Sequence, residues 1–301
     1  MRLQNQTKPV LRVSVAAILA GIAFSAGSAT AQDSKMTFSS KLLLTGGVTT
    51  IEGSAGGGLV PWAVIGGNGT KEQIGASAFY TNVRAKDYTL NTGGALIGIY
   101  DRVELSFAQQ QFDTREVGGL LGLGKGYKFN QKVYGAKVRV IGDAILEQDS
   151  YLPQIAVGFQ HKQNDRGDLL RALGIKSDKG TDIYLSATKL FLGQSLLLNG
   201  TVRFTKANQT GILGFGTAAK DKYEAMPEVS IAYLLRKDVA IGAEYRKKPD
   251  NLPFKENDWY DVFVAYAPTK NISVTLAYAD LGNIVIKEKQ KATYISVQVG
   301  F

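Results

Sequence analysis

Ile272-Ser273-Val274-Thr275-Leu276-Ala277-Tyr278 puts Ile272, Val274, Leu276 and Tyr278 on one side of an extended chain and Ser273, Thr275 and Ala277 on the other. Successive side chains of a strand point to opposite faces, so this stretch reads as a strand with one greasy and one wet face. Upstream, Val239, Ile241, Ala243 and Tyr245 alternate with Ala240, Gly242, Glu244 and Arg246 in the same manner. Downstream, Tyr294-Ile295-Ser296-Val297-Gln298-Val299-Gly300-Phe301 repeats the theme, with Ile295, Val297, Val299 and Phe301 together. Outward from these segments the pattern recurs along the chain from residue 74, each run ending in a turn signal and none giving way to a long helical period. The runs fall at 74–84, 92–100, 103–112, 131–142, 151–162, 181–191, 195–206, 226–236, 239–247, 257–267, 272–280 and 291–301, about twelve strands. In 181–191 the faces stay unassigned, because Lys189 shares a side with Ile183, Leu185 and Ala187.

The connections alternate between short and long. Short turns stand at Tyr100-Asp101-Arg102, Asp143–Asp149, Leu192-Gly193-Gln194, Lys237-Asp238 and Thr269-Lys270-Asn271. Long polar or Gly-rich loops stand at Asp113–Asn130, Lys162–Gly180, Ala207–Ala225, Lys248–Glu256 and Leu281–Gln290. That rhythm, with an even strand count, is the signature of a bacterial outer-membrane barrel with short periplasmic turns and long outer loops. The expected fold is all-β, a closed antiparallel transmembrane β-barrel in which closure pairs every strand edge. Tyr100, Tyr151, Tyr184, Tyr260 and Tyr266 suit interfacial girdles, and Phe301 suits a C-terminal insertion signal.

Composition excludes much chemistry. Among 301 residues there is no Cys and one His, so no disulfide, thiolate metal site, cysteine nucleophile or histidine-rich zinc site is expected. Mean hydropathy is −0.06, and beyond the first thirty or so residues no apolar run is long enough to cross the bilayer as a helix. Residues 1–31 read as a secretory signal peptide: Arg2, Lys8 and Arg12, an apolar stretch from Val13 to Phe24, then Ala29-Thr30-Ala31 with cleavage after Ala31. The three basic residues account for part of the formal net charge of +9.

Residues 32–73 are Gly-rich yet too apolar for a free linker, and they precede a barrel at 74–301. One reading folds the segment into the barrel as a plug. The other adds two strands and makes fourteen, but Pro61 and the glycine runs suit a central membrane strand poorly. Leu44-Thr45-Gly46-Gly47-Val48, Pro61-Trp62-Ala63-Val64-Ile65-Gly66-Gly67, Gly242-Ala243-Glu244-Tyr245-Arg246 with Lys248-Pro249-Asp250-Asn251-Leu252, and Ala277-Tyr278-Ala279-Asp280-Leu281-Gly282-Asn283-Ile284 resemble a domain-of-unknown-function family of Gram-negative outer-membrane proteins. The resemblance spans nearly the whole chain after the signal and implies location and fold, with no catalytic or substrate residue to carry over. More loosely, the layout looks like barrels that admit aromatic or fatty substrates.

Strand parity turns Glu104, Lys137, Arg139, Arg203, Glu244, Arg246 and Asp261 inward, since a charge in the lipid-facing midplane costs about 2–4 kcal/mol. With four of these basic, a mild anion preference is expected. A barrel between about eight strands, which side chains fill, and about sixteen, which leave a channel, is read here as a channel for small solutes. The alternatives are a plugged transporter for apolar or aromatic compounds, a structural outer-membrane protein, or a hydrolase dependent on His161, although Gln160, Lys162 and Gln163 supply no catalytic partner. Gly119-Leu120-Leu121-Gly122-Leu123-Gly124-Lys125-Gly126 approaches a phosphate-binding loop but lacks the Ser or Thr and the strand-to-helix setting, leaving an outer loop whose leucines could narrow the pore. Asp165, Asp168, Asp178 and Asp182 lack EF-hand spacing. No cofactor, metal or nucleic acid is expected. The expected partners are outer-membrane lipid and lipopolysaccharide, the barrel-assembly machinery and an unknown solute.

Overall fold

The computed structural model describes residues 41, 44, 46–142 and 152–301. The expected signal segment with Ala31, residues 32–40 and the turn at Asp143–Asp149 lie outside the described residues.

The alternating stretches form β1 (Ile74–Ala85), β2 (Thr89–Ile99), β3 (Val103–Asp113), β4 (Lys128–Ile141), β5 (Gln154–Asn164), β6 (Lys179–Phe191), β7 (Leu196–Thr205), β8 (Glu224–Arg236), β9 (Val239–Arg246), β10 (Trp259–Tyr266), β11 (Ile272–Asp280) and β12 (Lys291–Gly300). These twelve close into one antiparallel barrel in chain order. β12 returns to β1, with Ala292 opposite Ala85 and Gly300 opposite Ser77. A closed sheet leaves no unpaired edge, which is the condition for a β-structure to stand in hydrocarbon. The count is twelve and not fourteen, because the Gly-rich segment contributes only a hairpin of Val48–Thr49 with Ala55–Gly56 that stays out of the wall.

The period of two separates the faces of each strand. On β8, Val229, Ile231 and Tyr233 are exposed while Glu228, Ser230 and Ala232 between them are buried. Leu105, Val262, Leu276 and Ile295 continue the same exposed apolar wall on other strands. A continuous apolar exterior on a closed barrel is the surface that lipid covers, so the chain is an outer-membrane β-barrel. No helix among the described residues is long and apolar enough to cross a membrane. β6 sorts itself in the same way: Ile183 and Leu185 face outward, Asp182, Tyr184, Ser186, Thr188 and Leu190 face inward, and Lys189 sits on the outward side close to the turn.

The long loops gather at one rim, joined by the three-residue turn 86–88 between β1 and β2, and the short turns at 100–102, 192–194, 237–238 and 269–271 gather at the other together with the start of β1 and the end of β12. Phe301 is tied down there by its backbone, its carbonyl accepting from Asn68 N (3.1 Å) and Ala76 N (3.0 Å). The loop after β3 departs from expectation. It forms a short helix, α1 (Val117–Leu120), and Leu120 and Leu121 are exposed instead of folding into the lumen. Gly122, Gly124 and Gly126 all take positive φ, and they carry the chain out over the rim, where Val117, Leu123 and Tyr127 are the loop's contacts with the core. After β5, α2 (Gly167–Ala172) forms, and Arg171 pairs with both Asp168 (2.7 Å) and Asp178 (3.3 Å), so these acids are spent on a guanidinium.

Candidate functional site

Residues 48–67 lie inside the barrel and are buried from end to end. The small hairpin and internal bonds such as Ile51 N to Gly58 O (3.0 Å) and Trp62 N to Ala55 O (3.1 Å) satisfy part of their backbone, and the remaining N–H and C=O groups need partners from elsewhere. Inward side chains of the wall supply them. Glu104 accepts from Ala55 N (3.1 Å) and Gly66 N (2.8 Å), and Lys137 donates to the carbonyls of Ala55 and Trp62 (3.1 Å each). Glu244 accepts from Gly58 N (2.6 Å) and Leu59 N (2.7 Å). Thr188 accepts from Ala63 N (2.8 Å), Thr201 donates to Pro61 O (2.8 Å), and Gln110 donates to Ile51 O (2.7 Å). The indole of Trp62 donates to Ser230 (3.0 Å). The glycines are what let the backbone come this close. A Cβ on Gly56 would stand 2.1 Å from Val60 O, and one on Gly57 would stand 2.1 Å from Glu244 Oε1.

All seven charged residues expected in the lumen do face inward, and all are buried. They fall into groups along the axis. Near the short-turn rim, Asp101 binds Lys41 (2.7 Å) and Arg139 (2.9 Å), and Lys41 also donates to Ile65 O (2.7 Å). One step further in, Lys137 pairs with Glu104 (3.1 Å). Asp261 lies opposite Glu244 in register, and its Oδ1 has no hydrogen-bond partner among the described residues. Toward the long-loop rim, Arg203 and Arg246 join a larger network.

At the centre of that network stands Glu52, from the inner segment. It pairs with Lys162, with Arg246 (2.8 Å) and with Arg203 (3.6 Å). The wall closes the circuit: Asp182 binds Lys162 (2.6 Å) and Arg203 (3.6 Å), and Glu228 binds Arg203 (2.5 Å) and Arg246 (3.3 Å). Three cations thus face three carboxylates, all buried, with Arg203 stacked over Tyr184 and Arg246 over Trp259. Charges this deep are tolerated only when paired, so removing one member leaves an uncompensated charge in low dielectric.

A loop between β7 and β8 roofs the lumen. Asn208–Gly211 turns inward, with Gln209 and Thr210 at positive φ (44° and 60°). Thr210 O accepts from Lys162 (3.1 Å) and Gln131 (3.3 Å), and Gln209 accepts from Lys248 (3.0 Å) at its side chain and donates its N–H to Glu256 (3.2 Å). Burial pushes the Glu256 carboxyl up to about 7, against the pull of Lys248. Burial also pushes the Lys248 ammonium down to about 8, with Glu256, Asp258 and Asp250 opposing that shift and Arg246 adding to it.

Sequence reasoning missed four members of the site. Glu228 obeys the same parity as Arg203 and is legible from it, whereas Lys162 stands where the sequence reads as the start of a loop and Asp182 lies in the strand whose faces the sequence leaves unassigned. Glu52 carries the plainest signal, being the sole charged residue between Lys41 and Lys71. Adding Lys162, Asp182 and Glu228 to the seven gives five basic and five acidic residues on the inner wall, of which Glu244 and Asp261 stand opposite each other with no cation paired to either among the described residues. His161 faces outward from β5, its Nδ1 2.9 Å from the hydroxyl of Thr181. Among the described residues no group of His, Cys, Asp and Glu is arranged to hold a metal ion.

A closed barrel with a lipid-facing exterior and its own chain bonded into the lumen defines the class: an outer-membrane β-barrel with an internal segment. The chain belongs to the family described as Protein of unknown function (DUF3034), whose profile matches residues 45–298, covering both the internal segment and the wall. No curated protein matches the sequence. Among solved structures, the COG4313 outer membrane channel from Pseudomonas putida F1 is similar at 10% identity and TM-score 0.47, over 80% of this chain and 97% of that one. The KdgM porin in complex with disordered oligogalacturonate is similar at 13% identity and TM-score 0.46, over 75% and 99%. Outer membrane phospholipase A from Escherichia coli is similar at 10% identity and TM-score 0.43, over 74% and 92%. Channels and an enzyme stand side by side in this group, and likeness at this level lends the present chain neither activity nor ligand.

Proposed function

We propose that the protein is a gated outer-membrane channel for small solutes, in which residues 48–67 are the gate. The observation that carries this reading is how the segment is held. It is seated through hydrogen bonds from wall side chains to its backbone and through one carboxylate, Glu52, set among three wall cations. Such contacts can exchange for water one by one, whereas a barrel meant only to be solid would be filled by its own inward side chains. With the segment seated there is no free path past the ion network. With it unseated, a lumen lined by balanced charges opens. Conductance of the refolded protein in a planar bilayer under a salt gradient tests this reading. Brief openings from a closed baseline, with weak ion selectivity, are expected. A steady open conductance from the first moment would contradict a seated gate.

A further inference from the structure

The lumen is not uniform. Besides an apolar cavity of about 30 Å³ toward the short turns, beside Trp62, Leu190 and Phe263, it holds an apolar cavity of about 40 Å³ under the roof loop. Ile51 and Leu59 of the inner segment form the floor, Phe112 and Trp259 stand at the sides, and Ile212 and Ile284 close the top. We infer that this cavity is a binding site for a compact, uncharged, hydrophobic molecule carrying at most one hydrogen-bond-accepting oxygen.

Three observations carry the inference. First, protein interiors are close-packed, and an apolar void stays dry; at about 40 Å³ this one has room for a methyl-sized group, and a ring seats in it only as the roof rises. Nothing here recognises a charge. The polar groups of its lining residues Gln209, Tyr88 and Tyr294 are engaged: Gln209 Nε2 donates to Asn283 O (3.2 Å) and Oε1 accepts from Lys248 (3.0 Å), Tyr88 donates to Ile284 O (2.9 Å), and Tyr294 donates to Thr49 O (3.5 Å). Second, the buried indole N–H of Trp259 has no partner among the described residues, and that donor is what sets the allowance of one acceptor oxygen. Third, the roof is strained. Gln209, Thr210 and Gly211 all hold positive φ, and a β-branched residue such as Thr210 rarely adopts that region. Strain of this kind gathers where a structure must move to admit a ligand.

A guest larger than the cavity lifts the roof, and the roof is wired to the gate. Lys162 donates to Thr210 O in the roof and pairs with Glu52 in the inner segment, so displacing one loosens the other. The consequence for passage rests on reading residues 48–67 as a gate, but the binding itself does not.

The chain has two tryptophans, Trp62 and Trp259, so Trp62→Phe leaves Trp259 as the sole indole emitter beside the cavity. The refolded W62F protein in detergent is titrated with bromobenzene, a heavy-atom quencher, and with 4-bromobenzoate as the charged counterpart. Saturable quenching by bromobenzene and none by the carboxylate is expected, with half-saturation moved at least tenfold by Ala279→Leu or by Leu90→Phe, which both add carbons to the lining. Either variant serves if the other does not fold. Linear quenching that is alike in the filled and unfilled proteins reports partition into detergent and would overturn the site. Because binding is read without conductance, a channel that gates normally while showing no saturable quenching loses the site and keeps the gate, and the converse result does the reverse.

Discussion

Replacing Glu52 with Gln is the sharpest perturbation of the lumen, because it removes one charge and almost no volume. In the native network Glu52 meets Lys162, Arg203 and Arg246, and each of these keeps a second carboxylate, Asp182 or Glu228. After the substitution three buried cations share two carboxylates. Removing one partner of a buried ion pair costs about 3–5 kcal/mol, and Gln falls at the lower end because its amide oxygen can still accept a bond from Arg246. At about 1.4 kcal/mol per tenfold, a loss of about 3 kcal/mol moves the equilibrium between seated and unseated segment by about 10²-fold. Unseating also hands the wall cations back to water, so the whole of that loss favours the open state. Single-channel recording in planar bilayers reads it as a rise in open probability of about that factor at unchanged unit conductance. Glu116→Gln is the control, since the pair it breaks with Lys125 is exposed on the outer loop and contributes little. Equal open probability in wild type and the Glu52→Gln protein would refute the latch, as would an equal rise in the control.

The roof should respond to pH with a known sign. Glu256 has a raised pKa, so its contribution to holding the roof is full below its unfolded value near 4.5 and is lost as pH rises through about 7. Lys248 has a lowered pKa, so its contribution is present above 10.5 and is lost as pH falls through about 8. Protection of the 208–216 amides from hydrogen exchange, corrected for intrinsic rate, is therefore expected to be lowest between about 7 and 8, and a Lys248→Met/Glu256→Gln protein should flatten that minimum; a minimum that persists in the double variant assigns the effect to other groups. Gly56→Val drives a side chain into Val60 O and should cost the seated state about 1–3 kcal/mol, read as more frequent openings, whereas Gly200→Ala, whose added methyl meets nothing within 4 Å, should leave gating alone. His161→Ala is expected to leave assembly and gating unchanged and to alter no lipid-hydrolysis assay of the refolded protein; loss of a hydrolytic activity in that variant would establish an enzyme.

The wall was legible because lipid outside and a folded lumen inside impose a strict period of two, and Ile272–Asp280 or Val239–Arg246 show it without interruption. The same parity was enough to turn Arg203, Glu244 and Arg246 inward. It failed at β6, where Lys189 sits close enough to a rim for its charge to reach water while sharing a face with Ile183. It also could not say what the inward charges face. That depends on residues 48–67, whose glycines carry no period at all, so Glu52 stood in the sequence as a lone acid without a visible partner some 110 residues from Lys162 and 194 from Arg246. The outer loops were least legible: Leu120 and Leu121 read as a constriction, and only the run of positive-φ glycines around them decides that they point to solvent.

The most direct test of a seated segment that unseats to open the channel uses the absence of cysteine from the chain. Ser54 is buried in the inner segment at 1% exposure, so Ser54→Cys places a single thiol where reagent can reach it only when the segment leaves its seat. The rate of modification by a water-soluble methanethiosulfonate is measured during single-channel recording, alone and in the Glu52→Gln background. Modification confined to open periods, faster in the Glu52→Gln background by the same factor as its open probability, is the expected result. A thiol that stays unmodified while the channel conducts, or that reacts at one rate in both backgrounds, would contradict a moving segment as the gate.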